Sequence, residues 1–110
     1  MSNREPAILL DDIRTAIGKI QRYVAGLNET AFLADEKTID AVVRNREIIG
    51  EAAKQLPAEW KQRHPTIHWS QIAGLRNRIV HDYAGVDLEI VWNILQTSIP
   101  ELRSQIDRIE

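Results

Sequence analysis

Along most of this chain, apolar residues return every three or four positions, the period of an α-helix with one buried face. The first stripe is Leu9, Ile13, Ile17, Ile20, Val24 and Leu27, with Arg14, Lys19, Gln21 and Arg22 outside it. Pro6 suits the first turn of that helix, and Gly26 with Asn28 marks its stop. Residues 28–34 read as a connector with at most one helical turn, which would bury Phe32. Asp35 stands where it can cap a second long helix, whose face is Ile39, Val42, Val43, Ile49 and Leu56 and whose end is Pro57. Arg46 interrupts that face at a position where the period asks for an apolar residue. A short, proline-bounded passage over 57–67 follows, which Trp60 and Ile67 would pin to the core. A third long helix starts near Trp69, buries Ile72, Leu75, Ile79 and Tyr83, and ends around Ala84-Gly85. Asp87 then caps a fourth helix through Ile90, Val91, Ile94, Leu95, Leu102, Ile106 and Ile109, in which Pro100 should cause a kink or a break. No stretch alternates with the two-residue period of a strand, and there is no repeat. The pattern predicts an all-α fold, an antiparallel bundle of four to five helices forming a single domain over residues 1–110.

Composition narrows the class without changing the fold. With 110 residues, 44% hydrophobic and 27% charged, the chain is globular and of single-domain size. It has no cysteine, which excludes a disulfide framework and any thiolate nucleophile or ligand. No signal-like leader and no apolar run of about 18 residues occurs, so a soluble, cytoplasmic protein without membrane contact is expected. Charge is unevenly distributed. From Trp60 to His81 there is no acidic residue, and Lys61, Arg63, Arg76 and Arg78 lie there with all three histidines, His64, His68 and His81. That window carries +4 in a chain of net charge −2, so the remainder carries −6. A local basic region on an acidic body suits a site that grips a few phosphates rather than one that coats a long nucleic acid.

The chemistry concentrates between Leu75 and Tyr83. Arg76, Asn77, Arg78 and His81 fall outside the apolar stripe of the third helix, so a fixed cation, an amide and a group titrating near neutrality are gathered within six residues. Arginine holds a phosphate bidentately and histidine moves a proton, although a solvated helix face with an ordinary surface histidine has the same spacing. No glycine-rich phosphate loop and no His-Glu-x-x-His motif occurs, and the histidines lack metal-ligand spacing. No metal and no cofactor are therefore expected, with Glu47 and Glu51 leaving a carboxylate-held metal as the competing route. Metal-free RNA cleavage fits the residues better. The ribose 2′-hydroxyl attacks the adjacent phosphate, so the protein need supply only a base, an acid and a cation for the charged phosphorane. Five residues on an ideal helix turn about 500°, so Arg76 and His81 would project about 140° apart. One such histidine per chain is also one short of a base–acid pair, and a two-fold homodimer would supply the second. A further line on the second helix, Asp40-Arg44-Glu47-Glu51, reads either as intrahelical ion pairing or as a support shell for the phosphate-handling groups. His64 and His68 read as loop histidines rather than ligands.

Arg76-Asn77-x3-His81, followed by Asp82-Tyr83, resembles the Arg-polar-x3-His motif of HEPN-domain ribonucleases. More narrowly, the chain is similar to the HepT family, the toxin half of HepT–MNT toxin–antitoxin pairs. Arg44 with Glu47-Ile48-Ile49-Gly50-Glu51-Ala52 resembles the family's second-helix signature. Pro65-x-Ile67-x-Trp69-x-x-Ile72-x-Gly74-Leu75-Arg76-Asn77 and Val86-Asp87-x-x-x-Val91-Trp92 are similar to its later segments. The resemblance implies a four- or five-helix fold, a homodimer with paired motifs at a cleft, metal-independent RNA cleavage by Arg76 and His81, and supporting roles for Asn77, Arg44 and Glu47. It also implies a nucleotidyltransferase antitoxin of the MNT type that transfers AMP to Tyr83. Arg46 departs from the pattern, where leucine is expected, and marks either altered packing or a variant cleft. The competing expectation is a non-catalytic, nucleotide- or nucleic-acid-binding subunit of a nucleotidyltransferase, which would tolerate loss of the Arg76/His81 pair.

Overall fold

The computed structural model describes residues 5–70, 72–73 and 88–109, and these form five helices with no strand among them. Helix α1 (Pro6–Val24) opens with Pro6 in its first turn, where the missing N–H costs nothing, and the Glu5 carbonyl accepts from the amides of Ile8 and Leu9. Its buried face is Leu9, Leu10, Ile13, Ala16, Ile17 and Ile20. The chain leaves it through Gly26, whose φ of 81° lies in the left-handed region open to glycine.

Asn28 then caps the single turn α2 (Glu29–Leu33) by accepting from the Ala31 amide at 2.8 Å, and that turn buries Phe32 completely. Asp35 caps α3 (Glu36–Gln55) as its position predicts: one carboxylate oxygen accepts from the Thr38 amide at 3.1 Å and the other from the Thr38 hydroxyl at 2.7 Å. The Thr38 hydroxyl, and after it the Thr38 amide, holds the Asp35 carboxyl below its ordinary value. Pro57 ends α3 but does not lead into an irregular passage. It stands at the N-cap of a further short helix, α4 (Ala58–Gln62), because proline at a helix entry withholds a donor that no helical partner needs. Residues 69, 70, 72 and 73 are helical as well, with Trp69 and Ile72 buried. The course of the third long helix through Leu75, Ile79 and Tyr83, and the cap expected at Asp87, lie outside the described residues.

Helix α5 (Leu88–Asp107) departs from expectation in its first turns. Ile90 is exposed (43%), and the buried face of the first turns is instead Trp92 and Leu95. Trp92 meets the Phe32 ring at 5.2 Å between centroids, while Leu95, Leu102 and Ile106 of the expected stripe stay buried. Pro100 sits inside the helix without ending it. Ile99 and Leu102 are buried on either side of it, whereas Pro100 and Gln96 are exposed. The Gln96 carbonyl that loses the Pro100 donor thus belongs to the solvent side, and the buried flanks outweigh the missing bond.

The core joins all these elements. Leu9, Ile13, Ile17 and Ile20 of α1, Val42, Ile49 and Ala53 of α3, Phe32 of α2, and Ile99, Leu102 and Ile106 of α5 form one buried cluster. Each such aliphatic side chain stabilises the fold by about 1.5–3 kcal/mol on full burial. Arg14 closes the bundle between α1 and the end of α5. Its Nη2 donates to the carbonyls of Ile106 at 3.1 Å and Ile109 at 3.3 Å, groups that a helix C-terminus leaves without intrahelical donors. It also lies 3.8 Å from Asp107, while Arg103 donates to Gln21 at 2.6 Å. Residue 14 facing 107 and residue 21 facing 103 fix α1 and α5 as antiparallel.

Candidate functional site

The residues expected to do chemistry fall in two groups. Arg76, Asn77, His81 and Tyr83, with their neighbours Gly74 and Arg78, lie outside the described residues. Arg44, Glu47 and Glu51 are described, on α3. Arg44 is exposed and Glu47 half-buried. Asp40 and Glu51, the ends of the same line, each hold an interaction. Glu51 accepts a hydrogen bond from Gln55 at 3.4 Å. Among the described residues no three His, Asp or Glu side chains converge into a group that could hold a metal ion.

The two residues between Arg44 and Glu47 behave otherwise. Arg46 is almost wholly buried (1%), in the same face as Val42 and Ile49, so the helical period is kept and only the chemistry of the position departs. All three of its guanidinium nitrogens are buried with it, and the residue keeps an interaction in the described structure. Asn45 is buried beside it and donates from Nδ2 to the Ala41 carbonyl at 2.8 Å. It lines a cavity of about 200 Å³ between α1 and α3 with Asp12, Thr15, Ala16, Lys19 and Ile48. Nothing in the sequence pattern singled out Asn45, because a polar residue one position off an apolar stripe reads as surface.

The segment 57–73 leads into the motif region and is fixed by rings and backbone bonds. Trp60, half-buried on α4, meets the His64 imidazole at a tilt of 42° with ring centroids 4.3 Å apart, and meets Trp69 edge-on at 5.6 Å. The Trp69 indole N–H donates to the His64 carbonyl at 3.1 Å, and the Ile67 amide donates to the same carbonyl at 3.2 Å. Lys61 reaches back to the Ala53 carbonyl near the end of α3 at 3.4 Å. Ile67 is buried, as expected of the residue that pins this segment. Two cavities lie between the segment and α5. One, of about 170 Å³, is lined by His64, Thr66, Ile67, Gln105, Arg108 and Ile109. The other, of about 110 Å³, is lined by His68, Ile72, Ser98, Glu101 and Gln105 over Ile99 and Leu102. His64 and His68 belong to the loop, as the sequence suggests, but both line cavities.

An all-helical bundle with a closed apolar core, its polar groups displayed on a connecting segment and along one helix, defines a class of small helical domain. Comparison with known proteins resolves the class. A model of the family described as HepT-like, "Ribonuclease HepT-like", matches residues 13–109. The chain is 38% identical over 100 residues to "Probable ribonuclease HepT" of Thermococcus cleftensis, covering 91% of each chain. It is 41% identical over 86 residues to a "Putative RNase" of Caldanaerobacter subterraneus, covering 78% of this chain and 77% of that one. A "Putative RNase" of Methanocaldococcus jannaschii is 33% identical over 109 residues, covering 99% and 90%. No solved structure matches significantly. The chain belongs to the HepT-like ribonuclease family.

Proposed function

We propose that this protein is a metal-independent endoribonuclease and the toxin of a toxin–antitoxin pair, cutting RNA at a site built from Arg76 and His81 of two chains in a homodimer. The observation that carries the reading is the family match across residues 13–109, taken with the intact Arg76-Asn77-x3-His81 pattern inside it. In the cleavage step His81 of one protomer takes the proton from the ribose 2′-hydroxyl, whose oxygen attacks the adjacent phosphorus. The histidine of the other protomer protonates the departing 5′-oxygen, leaving a 2′,3′-cyclic phosphate and a 5′-hydroxyl. Arg76 holds the phosphate and stabilises the charge that develops on its oxygens. Asn77, Arg44 and Glu47 act in support of these groups. The basic window over 60–81 attracts the substrate, while the acidic remainder keeps the footprint short.

The partner in this reading is a nucleotidyltransferase antitoxin of the MNT type that transfers AMP to the Tyr83 hydroxyl. The phosphodiester so formed adds a negative charge seven residues from Arg76 and competes with RNA phosphate for the guanidinium. Expression of the chain in a bacterial host tests the whole. Wild type should arrest growth, Arg76→Ala and His81→Ala should each abolish the arrest with the helical circular dichroism unchanged, and co-expressed antitoxin should restore growth while adding AMP to wild type but not to Tyr83→Phe. Arrest that survives His81→Ala would exclude the proposed proton transfer.

A further inference from the structure

Two features of the 57–73 segment are not used by the cleavage step, and they meet at His64. The first is a rigid aromatic surface. The His64 ring packs against Trp60 at a tilt of 42°, Trp60 is held edge-on by Trp69, and the His64 backbone is tied through its carbonyl to the Trp69 indole N–H. An imidazole held from both its ring and its main chain costs little further ordering when a ligand arrives. The second is the cavity that His64 lines with Thr66, Gln105 and Arg108 over an apolar floor of Ile67 and Ile109. At about 170 Å³ it is smaller than the roughly 300–1,000 Å³ pockets that take drug-sized ligands, so it has room for one planar group.

The chemistry around the cavity selects among planar groups. Gln105 offers both a donor and an acceptor, and Thr66 offers a hydroxyl. Arg108 is exposed and lines the cavity, so it offers a cation there. Lys61 and Arg63 stand on the same segment. Glu101, in the adjoining cavity that shares Gln105, repels phosphate and accepts from an amino group. A stacking ring, an amide for an edge, a cation for a phosphate and a carboxylate for an exocyclic amine together match an unpaired nucleotide. A folded protein surface would use the apolar floor but not the imidazole ring.

We propose that this cavity is a subsite for an unpaired base of single-stranded RNA, with the base on the His64 ring, its edge at Gln105 and Thr66, and a neighbouring phosphate on Arg108. The proposal rests on the ribonuclease reading and names how its substrate is held beyond the cut linkage. His68 and Ile72 line the adjoining cavity, and Ile72 precedes Arg76 by four residues in the chain. Base pairing hides the faces and edges that the subsite would read, so duplex RNA is a poor ligand.

The test measures the affinity of a fluorescently labelled single-stranded 12-mer RNA for His81→Ala protein and for the same protein with a second substitution. Adding His64→Ala should weaken binding about five-fold or more, the lower end of what losing one base stack costs, and His64→Phe should restore it to within about two-fold. Adding Arg108→Ala should weaken binding and reduce the steepness of its salt dependence by about 0.7, as for one phosphate contact. Duplex RNA of the same sequence should compete poorly. Unchanged affinity with both His64→Ala and Arg108→Ala would overturn the subsite, as would a His64→Phe defect as large as that of His64→Ala. Retained RNA affinity with lost binding of the nucleotidyltransferase would assign the groove to a protein instead. The ribonuclease reading fails separately, if wild type cuts no RNA and the His81→Ala protein binds none. Because Arg108 is exposed near the chain end, its variant keeps the test decisive even if His64→Ala unfolds.

Discussion

The helical body and the 57–73 segment are held together in different ways. In the body, α1, α3 and α5 bury apolar side chains at every three or four positions, and each contact is one of many. In the segment, a few directed contacts set the geometry: one tilted ring pair, one edge-on pair, one indole N–H on one carbonyl and one lysine on the end of a helix. Burial by period tolerates similar residues, whereas directed contacts depend on particular atoms. A fold can therefore keep a steady body while its connecting segment places polar groups against solvent, where a substrate can reach them.

The contrast is open to test by substitution. The largest loss should come from Arg46→Ala, which removes one of the largest fully buried side chains from the apolar face of α3 and leaves its volume empty. About 3–5 kcal/mol is expected by urea denaturation, with Arg46→Leu losing less because it refills the volume. Ile17→Ala or Ile49→Ala should cost about 2–5 kcal/mol through lost burial and the cavity left behind. Trp69→Phe, which deletes only the indole donor to His64 and some ring area, should cost about 1 kcal/mol. If it cost as much as Ile49→Ala, the segment would be part of the body and the contrast would fail. Asp35→Ala should have the smallest effect and a distinctive pH dependence. The Asp35 carboxyl is held below its ordinary value, so its contribution is fully present above the unfolded-state pKa and is lost as pH falls through the lower folded value. Thermal melts of wild type and Asp35→Ala should differ at neutral pH and converge at strongly acid pH.

The same division explains what could be read in advance. The bodies of α1 and α3, the cap at Asp35, the buried turn at Phe32 and the membership of the family were all legible, because period, cap chemistry and motif spacing are local in sequence. Arg46 was seen as an intruder, and the structure places it where the period put it. One position is misplaced for a physical reason: Ile90 is exposed and Trp92 buried, because Trp92 meets the Phe32 ring, sixty residues away in sequence. The contact of Trp60 with His64 is not legible at all, since it depends on how α4 folds back after Pro57.

The central claim is cleavage by a bound 2′-hydroxyl without a metal, and the chemistry of the cut ends tests it most directly. A defined single-stranded RNA is incubated with purified protein in excess EDTA, beside the same RNA carrying a 2′-deoxy substitution at the cut position, and the products are weighed by mass spectrometry. The account predicts 2′,3′-cyclic phosphate and 5′-hydroxyl ends on the RNA, no cut at the deoxy position, and no products from His81→Ala. Cleavage that stops in EDTA, or that continues at the deoxy position to give 5′-phosphate ends, would contradict it.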